Sequence, residues 1–369
     1  MKSIAHVGMD VHKDSIVVAI LPEKADKPVC EHRIENDVLK LKKFILKWDK
    51  VYDLRCCYEA SSCGYVMHRW LSSIGIACDV IAPSLVPKRA GERVKTDRKD
   101  ALKLARLHRS GELVNIYIPT EQDEAVRCLV RCRETMSKET GQSKHYILKF
   151  LSARGFKYPG KSNWTKKHWE YLRSLKFDGA EGLVFNEYLA LLEYKQFRLE
   201  DMDREIEKIA GSDTYRDVVG ILRCLRGIDT LSAMVLVTEI MDFRRFGDAR
   251  QLMSYLGLVP SESSSGSVRR QGGITKTGNS RCRRILVQAA WHYMRKPSLS
   301  AKLKERQAGQ PACVIAHSWK AQHRLYKKFW GIALRKERCK AVVAVARELV
   351  GFIWALVSRT DEDSRLHAA

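Results

Sequence analysis

The chain of 369 residues has room for two or three domains and more than one apolar core, which excludes a small protein held together by disulfides alone. Lys and Arg outnumber Asp and Glu by 66 to 43, and the formal charge of +23 points to a polyanionic partner, nucleic acid ahead of a membrane surface. No uninterrupted run of about 18 apolar residues and no basic-then-apolar leader is present, so a soluble cytosolic protein with no membrane partner is expected.

Eleven cysteines, an odd number and mostly scattered, suit a reducing compartment. Cys56-Cys57 and the pair Cys128 and Cys132 have no second pair at zinc-binding spacing, so small buried hydrophobes are expected there.

In chain order, the apolar runs His6 to Met9 and Ile16 to Leu21 flank polar His12-Lys13-Asp14 and predict a β-hairpin. A third strand is predicted over Val29 to Ile34, then a helix from Asn36, as its cap, to Lys47. A strand ending at Glu59, a helix from Gly64 to Ile74, a strand from Ile76 to Ala82 and a helix from Thr96 complete the order βββαβαβα. This is the order of a ribonuclease-H-like domain.

The last helix opens Val94-Lys95-Thr96-Asp97-Arg98-Lys99-Asp100-Ala101, with two carboxylates on one helix face. Taken alone, Thr96 or Asp97 is a helix cap above the apolar face Ala101, Leu102, Ala105 and Leu107. Asp10 and Glu59, each an acid within or at the end of an apolar strand, change the balance, because carboxylates in such places are costly unless paired or metal-bound. Four acids in the order Asp, Glu, Asp, Asp predict a divalent-cation site.

Beyond Pro119 long charged helices are expected, one from Glu121 to Leu151. A heptad seam runs through Tyr188, Leu192, Lys195, Leu199, Met202, Ile206 and Ile209, open to packing within the chain or between chains. Between them, Lys144 to Lys176 carries nine Lys/Arg against Glu170, interleaved with Trp164, Trp169 and Tyr171. That mixture suits RNA, with Lys161, Lys166 and Lys167 as backbone contacts and rings for base stacking, or else a solvated loop with buried tryptophans.

Leu222 to Met241 predicts a helix-hairpin-helix turn in which Asp229 stands where a second glycine is usual, weakening any phosphate grip. Ser261 to Arg284 is rich in serine and glycine and sets Arg269, Arg270, Lys276, Arg281, Arg283 and Arg284 against the single acid Glu262. By itself it reads as a phosphate-binding loop.

Together, Gly8-Met9-Asp10, Tyr58-Glu59-Ala60, Lys95 to Ala101, Gly257-Leu258-Val259-Pro260, Ser265-Gly266, Gly272 to Lys276 and Arg281, Arg283 and Arg284 resemble one family over nearly the whole chain. It is the DEDD insertion-sequence transposases of the one-ten family, bridge-RNA-guided recombinases to which the Piv-type DNA invertases are related. The resemblance implies an α/β plus α protein: a RuvC-like (ribonuclease-H-like) domain at 1–118, a helical or coiled-coil linker at 119–215 and a mainly helical transposase domain at 216–369.

It further implies Mg2+, with Mn2+ able to substitute, held by Asp10, Glu59, Asp97 and Asp100. Ser265 becomes the nucleophile that forms a covalent phosphoserine with DNA, with Ser263 and Ser264 as neighbouring alternatives. The implied partners are donor and target DNA, a non-coding guide (bridge) RNA and the protein itself, as dimer or tetramer, in the nucleoid-associated cytoplasm of a prokaryote. The chemistry is coherent: a serine hydroxyl needs activation and the phosphodiester needs charge neutralisation. A Piv-type invertase, or a metal-dependent Holliday-junction-type nuclease whose serine loop only grips phosphate, would use the same residues.

Overall fold

The computed structural model describes residues 2–87, 96–265 and 270–366. They form two compact units, Met1–Ile118 and Pro119–Ala369.

The first unit contains β1 (Ser3–Val11), β2 (Ser15–Pro22), β3 (Cys30–Glu35), α1 (Val38–Asp49), β4 (Tyr52–Glu59), α2 (Val66–Ser73), β5 (Ala77–Ile81) and α3 (Asp97–Arg109). Its mixed sheet has the order β3-β2-β1-β4-β5; β1–β2 and β2–β3 are antiparallel, while β1–β4 and β4–β5 are parallel. The predicted hairpin and the βββαβαβα order are therefore present, with an arrangement compatible with a ribonuclease-H-like domain.

Period-2 alternation sorts the strands' side chains onto two faces. Val7, Met9, Val18, Ile20 and Tyr58 share a core with Leu41 and Ile45 of α1 and Leu71 of α2. On the other face Val17 and Ala19 meet Ala101 of α3, and Cys57 and Ile81 meet Leu104. Strand β2, covered on both faces, is apolar almost throughout. The segment at 114–116 pairs along β5, with Ile116 N donating to Val80 O at 2.8 Å and Ala82 N to Val114 O at 3.0 Å, which covers a sheet edge.

The cap of α1 is Asp37, not Asn36: its carboxylate accepts from Lys40 N at 2.9 Å. Asn36 has another task, donating from Nδ2 to His12 O at 2.8 Å and Lys13 O at 3.2 Å to fasten the β1–β2 turn. Thr96 caps α3 as expected, accepting from Lys99 N. Val94 and Lys95 lie outside the described residues.

The second unit opens with α4 (Glu121–Ser152), α5 (Lys166–Ser174) and α6 (Gly179–Ala210). Helices α4 and α6 form an antiparallel hairpin, and the heptad seam of α6 faces α4 within the chain. Arg133 makes two bonds to Asp203 at 2.6 and 3.0 Å, and Tyr146 stacks on Tyr188. Lys195, the polar residue of the seam, reaches Glu139 at 3.5 Å and Ser143 at 3.3 Å.

There follow α7 (Arg216–Arg223), α8 (Thr230–Ile240), α9 (Ala249–Tyr255), β6 (Pro260–Glu262), β7 (Gln271–Ile274), α10 (Ser280–Trp291), α11 (Ala301–Gln307), α12 (Ala312–Ala333) and α13 (Arg338–Leu366). Residues 119–215, the helical or coiled-coil linker of the sequence, lie in one compact unit with 216–369. The reason is a shared core: Val126, Val130, Ile206 and Ala210 of the hairpin pack with α7, α8, α10, α12 and α13.

By length and composition α13 is the one helix among the described residues able to cross a membrane. Its Ala341, Val342, Val345, Ala346, Leu349, Val350, Ile353 and Leu356 are buried in that core, and Arg347 and Glu348 interrupt its apolar run. Glu348 pairs with Arg324 and Lys328 of α12, each at 2.7 Å. Helical spacing and these ion pairs make it a core helix.

Candidate functional site

In the first unit, Met9 pairs with Tyr58 across β1 and β4, so Asp10 and Glu59 follow at the same end of two adjacent parallel strands. Met9 and Tyr58 point into the α1/α2 core; the next residue on each strand therefore points to the α3 face. There Gly8 lets α3 approach so closely that a Cβ at this position would lie 2.1 Å from Ala101 O and 2.5 Å from Ala105 N. The first turn of α3, with Asp97 and Asp100, is thereby held against the strand end.

Asp10, His12 and Asp97 converge, each offering one ligand atom within 4.8 Å of the others. His12 Nε2 lies 3.2 Å from Asp10 Oδ2 and 3.6 Å from Asp97 Oδ1. Asp100 lies near enough for its charge to act on Asp10, and Glu59 ends the neighbouring strand β4; neither belongs to the trio. Burial pushes the Asp10 carboxyl above its ordinary value; His12 pulls it down by charge and hydrogen bond, and the charges of Asp100 and Asp97 push it up again. A half-buried carboxylate facing a second carboxylate and an imidazole is a donor set that fits a divalent cation. His12 was passed over in the sequence as a polar turn residue; its signal was the i, i+2 spacing from Asp10, which keeps both on one side of the strand end.

In the second unit, β6 and β7 make a short antiparallel ribbon whose connection carries the three serines. Ser264 Oγ donates to Glu262 Oε1 at 2.9 Å and accepts from Arg270 N at 3.3 Å; Ser263 N donates to Arg270 O at 2.9 Å. Ser265 is exposed and stands next to 266–269, which lie outside the described residues, Arg269 among them. The ribbon's base is tight. Gly257, at φ 64°, has room for no side chain beside Thr277 O, and Gly278, at φ 73°, none beside Tyr255 O. Arg283 donates to both legs, at 2.8 Å to Leu256 O and 3.0 Å to Thr277 O.

Arg270 and Lys276 are exposed, Lys276 at φ 57°. Arg281 and Arg284, half-buried on α10, both bind Glu134 of α4, the latter at 2.9 Å, and Lys138 approaches the same carboxylate at 3.3 Å. Burial opposes the ionised form, yet Arg284 and Arg281 hold the Glu134 carboxyl below its ordinary range. Arg281 also lies 3.8 Å from Glu239, so four cations (Arg131, Lys138, Arg281 and Arg284) face two carboxylates and the patch stays positive. Within it, Arg131 makes a bidentate pair with buried Glu239 at 2.6 and 2.7 Å, and Asn279 Nδ2 donates to Glu239 at 2.6 Å. No sequence pattern announces the arginine partners of Glu134 and Glu239, because Arg281, Arg284 and Arg131 lie more than a hundred residues from the carboxylates they bind.

Between α7 and α8, Gly227 at φ 84° passes close to Ala289 O, and Asp229 caps α8, accepting from Ser232 N at 2.8 Å. The aspartate carboxylate thus occupies the helix end where a phosphate would be gripped, as the missing glycine suggested. At the tip of the α4–α6 hairpin, Lys161, Lys166 and Lys167 are exposed. Trp164, Trp169 and Tyr171, however, are half-buried and pack with Ile147, Phe150 and Leu172, so they serve a small core rather than standing as open stacking platforms. Cys56 and Cys57 are buried as expected, whereas Cys128 and Cys132 are exposed on α4.

Two family models match this chain. Residues 7–154 match the IS110-type DEDD transposase model, and residues 219–305 match the model described as Transposase IS116/IS110/IS902 family. Among curated proteins, the chain is 36% identical over 348 residues to the transposase for insertion sequence element IS1533 of Leptospira borgpetersenii, covering 92% of this chain and 99% of that one. It is 26% identical over 361 residues to the transposase for insertion sequence element IS1111A of Coxiella burnetii, covering 92% and 93%.

Proposed function

The chain belongs to the IS116/IS110/IS902 transposase family and is a DNA transposase of an insertion sequence, and from that premise we propose that it cuts and rejoins DNA through a phosphoserine at Ser265, with a divalent cation held by Asp10, Glu59, Asp97 and Asp100. The observation that carries this reading is the convergence of Asp10 with Asp97 at the end of β1, beneath a helix that Gly8 admits to contact. The ribonuclease-H-like reading of the first unit is supported by its strand order.

Asp10, Glu59, Asp97 and Asp100 would hold the cation, which would supply charge neutralisation at the scissile phosphate and favour the alkoxide form of an attacking hydroxyl. Ser265 contributes the hydroxyl: its Oγ forms a bond to phosphorus, the bond from phosphorus to one strand oxygen breaks, and that oxygen leaves with a proton. The reverse attack by a hydroxyl of another strand reseals DNA and frees the serine. No nucleotide is consumed, because the phosphoserine ester retains the energy of the broken bond. Ser265 is preferred to Ser264 by the resemblance, as the serine directly before Gly266; the Ser264 hydroxyl is hydrogen-bonded to Glu262 within the ribbon. Arg283 orients the ribbon from its base, while Arg270, Lys276 and the surplus charge of the Arg281/Arg284 patch face phosphates.

A guide RNA is assigned to the exposed lysines Lys161, Lys166 and Lys167, by charge more than by ring stacking. Mg2+, with Mn2+ as substitute, is the proposed ion, and a dimer or tetramer in the cytoplasm the proposed working form, since joining two DNA partners needs at least two cleavage sites. The test is to replace each acid singly by alanine. Loss of recombination with fold and DNA binding kept is the expected result, and normal recombination by any two variants defeats the metal assignment.

A further inference from the structure

We propose that His12 is itself a ligand of the cation held at the Asp10 and Asp97 end of β1, so that the site carries a nitrogen donor among its carboxylates and, while it accepts Mg2+, binds the substitute ion Mn2+ more tightly. The inference rests on the reading of the acids as metal ligands and adds a residue to them.

Geometry is the first argument. Donor atoms about 2.1 Å from one ion stand roughly 3.0 Å apart at right angles and roughly 3.4 Å apart at the tetrahedral angle. His12 Nε2 lies 3.2 Å from Asp10 Oδ2 and 3.6 Å from Asp97 Oδ1, spacings close to those of atoms that share an ion. The second argument is that the ring's contacts are with the two carboxylates, while the turn that carries it is fastened without it. The β1–β2 turn is fastened by backbone and by Asn36: His12 N donates to Ser15 O at 2.9 Å, and Asn36 Nδ2 donates to His12 O. The ring is half exposed and leans toward the two carboxylates. The third is chemical. Mg2+ takes oxygen ligands and keeps several waters, whereas imidazole nitrogen suits the first-row transition ions, so one such donor moves the preference toward manganese.

The full-length protein is titrated with Mn2+, free ion being read by electron paramagnetic resonance and nitrogen ligation by the 14N modulation of the bound ion's spin echo. Mg2+ is then added as competitor. Wild-type protein is expected to show 14N modulation; His12→Ala should abolish it and weaken Mn2+ binding about tenfold or more, while Mg2+ affinity changes less. His12→Gln, which offers an oxygen instead, should retain binding without nitrogen coupling and with the Mn2+ preference reduced. Persistence of the 14N signal and of the Mn2+/Mg2+ ratio in both folded variants overturns the role of His12. Asp10→Asn separates the two ideas: if it leaves Mn2+ binding untouched, the metal site itself is misplaced and the proposal falls with it. If it removes binding while wild-type protein shows no 14N coupling, the acids bind metal and only His12 is misassigned.

Discussion

Gly8 of β1 and Ala101 of α3 meet backbone to backbone: a methyl group on Gly8 would lie 2.1 Å from the Ala101 carbonyl oxygen. Neither partner can yield by a rotamer change, so Gly8→Ala must push α3 off the sheet and carry Asp97 and Asp100 away from Asp10. The expected cost is about 2 kcal/mol or more of stability, together with weakened Mn2+ binding. Thermal unfolding and metal titration of the variant check this; wild-type values for both contradict it.

Arg131 and Glu239 set a second expectation. Burial opposes the Glu239 carboxylate, but hydrogen bonds and charge from Arg131, with Asn279, hold its pKa below the ordinary 4.5. Arg131→Ala removes the bidentate partner of a buried carboxylate and leaves it Asn279 and the more distant Arg281 at 3.8 Å, so it should destabilise the second unit by up to about 3 kcal/mol. A depressed acid pKa contributes stability that is present above pH 4.5 and is lost as pH falls through the folded value. Chemical denaturation at neutral and acid pH should therefore show the gap between wild type and variant closing in acid.

The heptad seam of α6 is filled by α4, so its disruption acts on the fold. Ile206 is buried with Val126 and Val130. Ile206→Glu should lower stability by more than about 3 kcal/mol by burying an unpaired carboxylate. A well-folded variant of reduced mass in light scattering would show instead that the seam joins chains.

His6 supplies a pH dependence for the first unit. Burial holds its pKa below 6.5 against the opposing hydrogen bond of Glu23 at 2.7 Å, with His108 and Arg55 also lowering it. A depressed histidine pKa means that the unfolded chain binds more protons below pH 6.5. The contribution is complete above that pH and lost as pH falls through the folded value. Melting temperature followed from roughly pH 7.5 to pH 5 should fall less steeply for His6→Gln than for wild type.

The elements around the acids were legible because strand alternation and helical spacing are local signals. Asp10 and Glu59 stood out as carboxylates in apolar strands, and their common face followed from parity. What the sequence hid was long-range. Asn36 looked like a helix cap because nothing local shows that its amide is engaged by the His12 and Lys13 carbonyls. Arg281 and Arg284 read as free phosphate contacts because Glu134 lies far back in the chain. The tryptophans of the basic segment read as stacking rings because the hydrophobes that cover them come from α4 and α6.

The most direct test of the covalent serine is to trap the reaction between full-length protein and its DNA, denature it and map any protein–DNA adduct by peptide mass spectrometry. Phosphate attached at Ser265, absent from Ser265→Ala, is the predicted result. Metal-dependent cleavage with no adduct, or an adduct that persists on Ser264 in the Ser265→Ala protein, would contradict it.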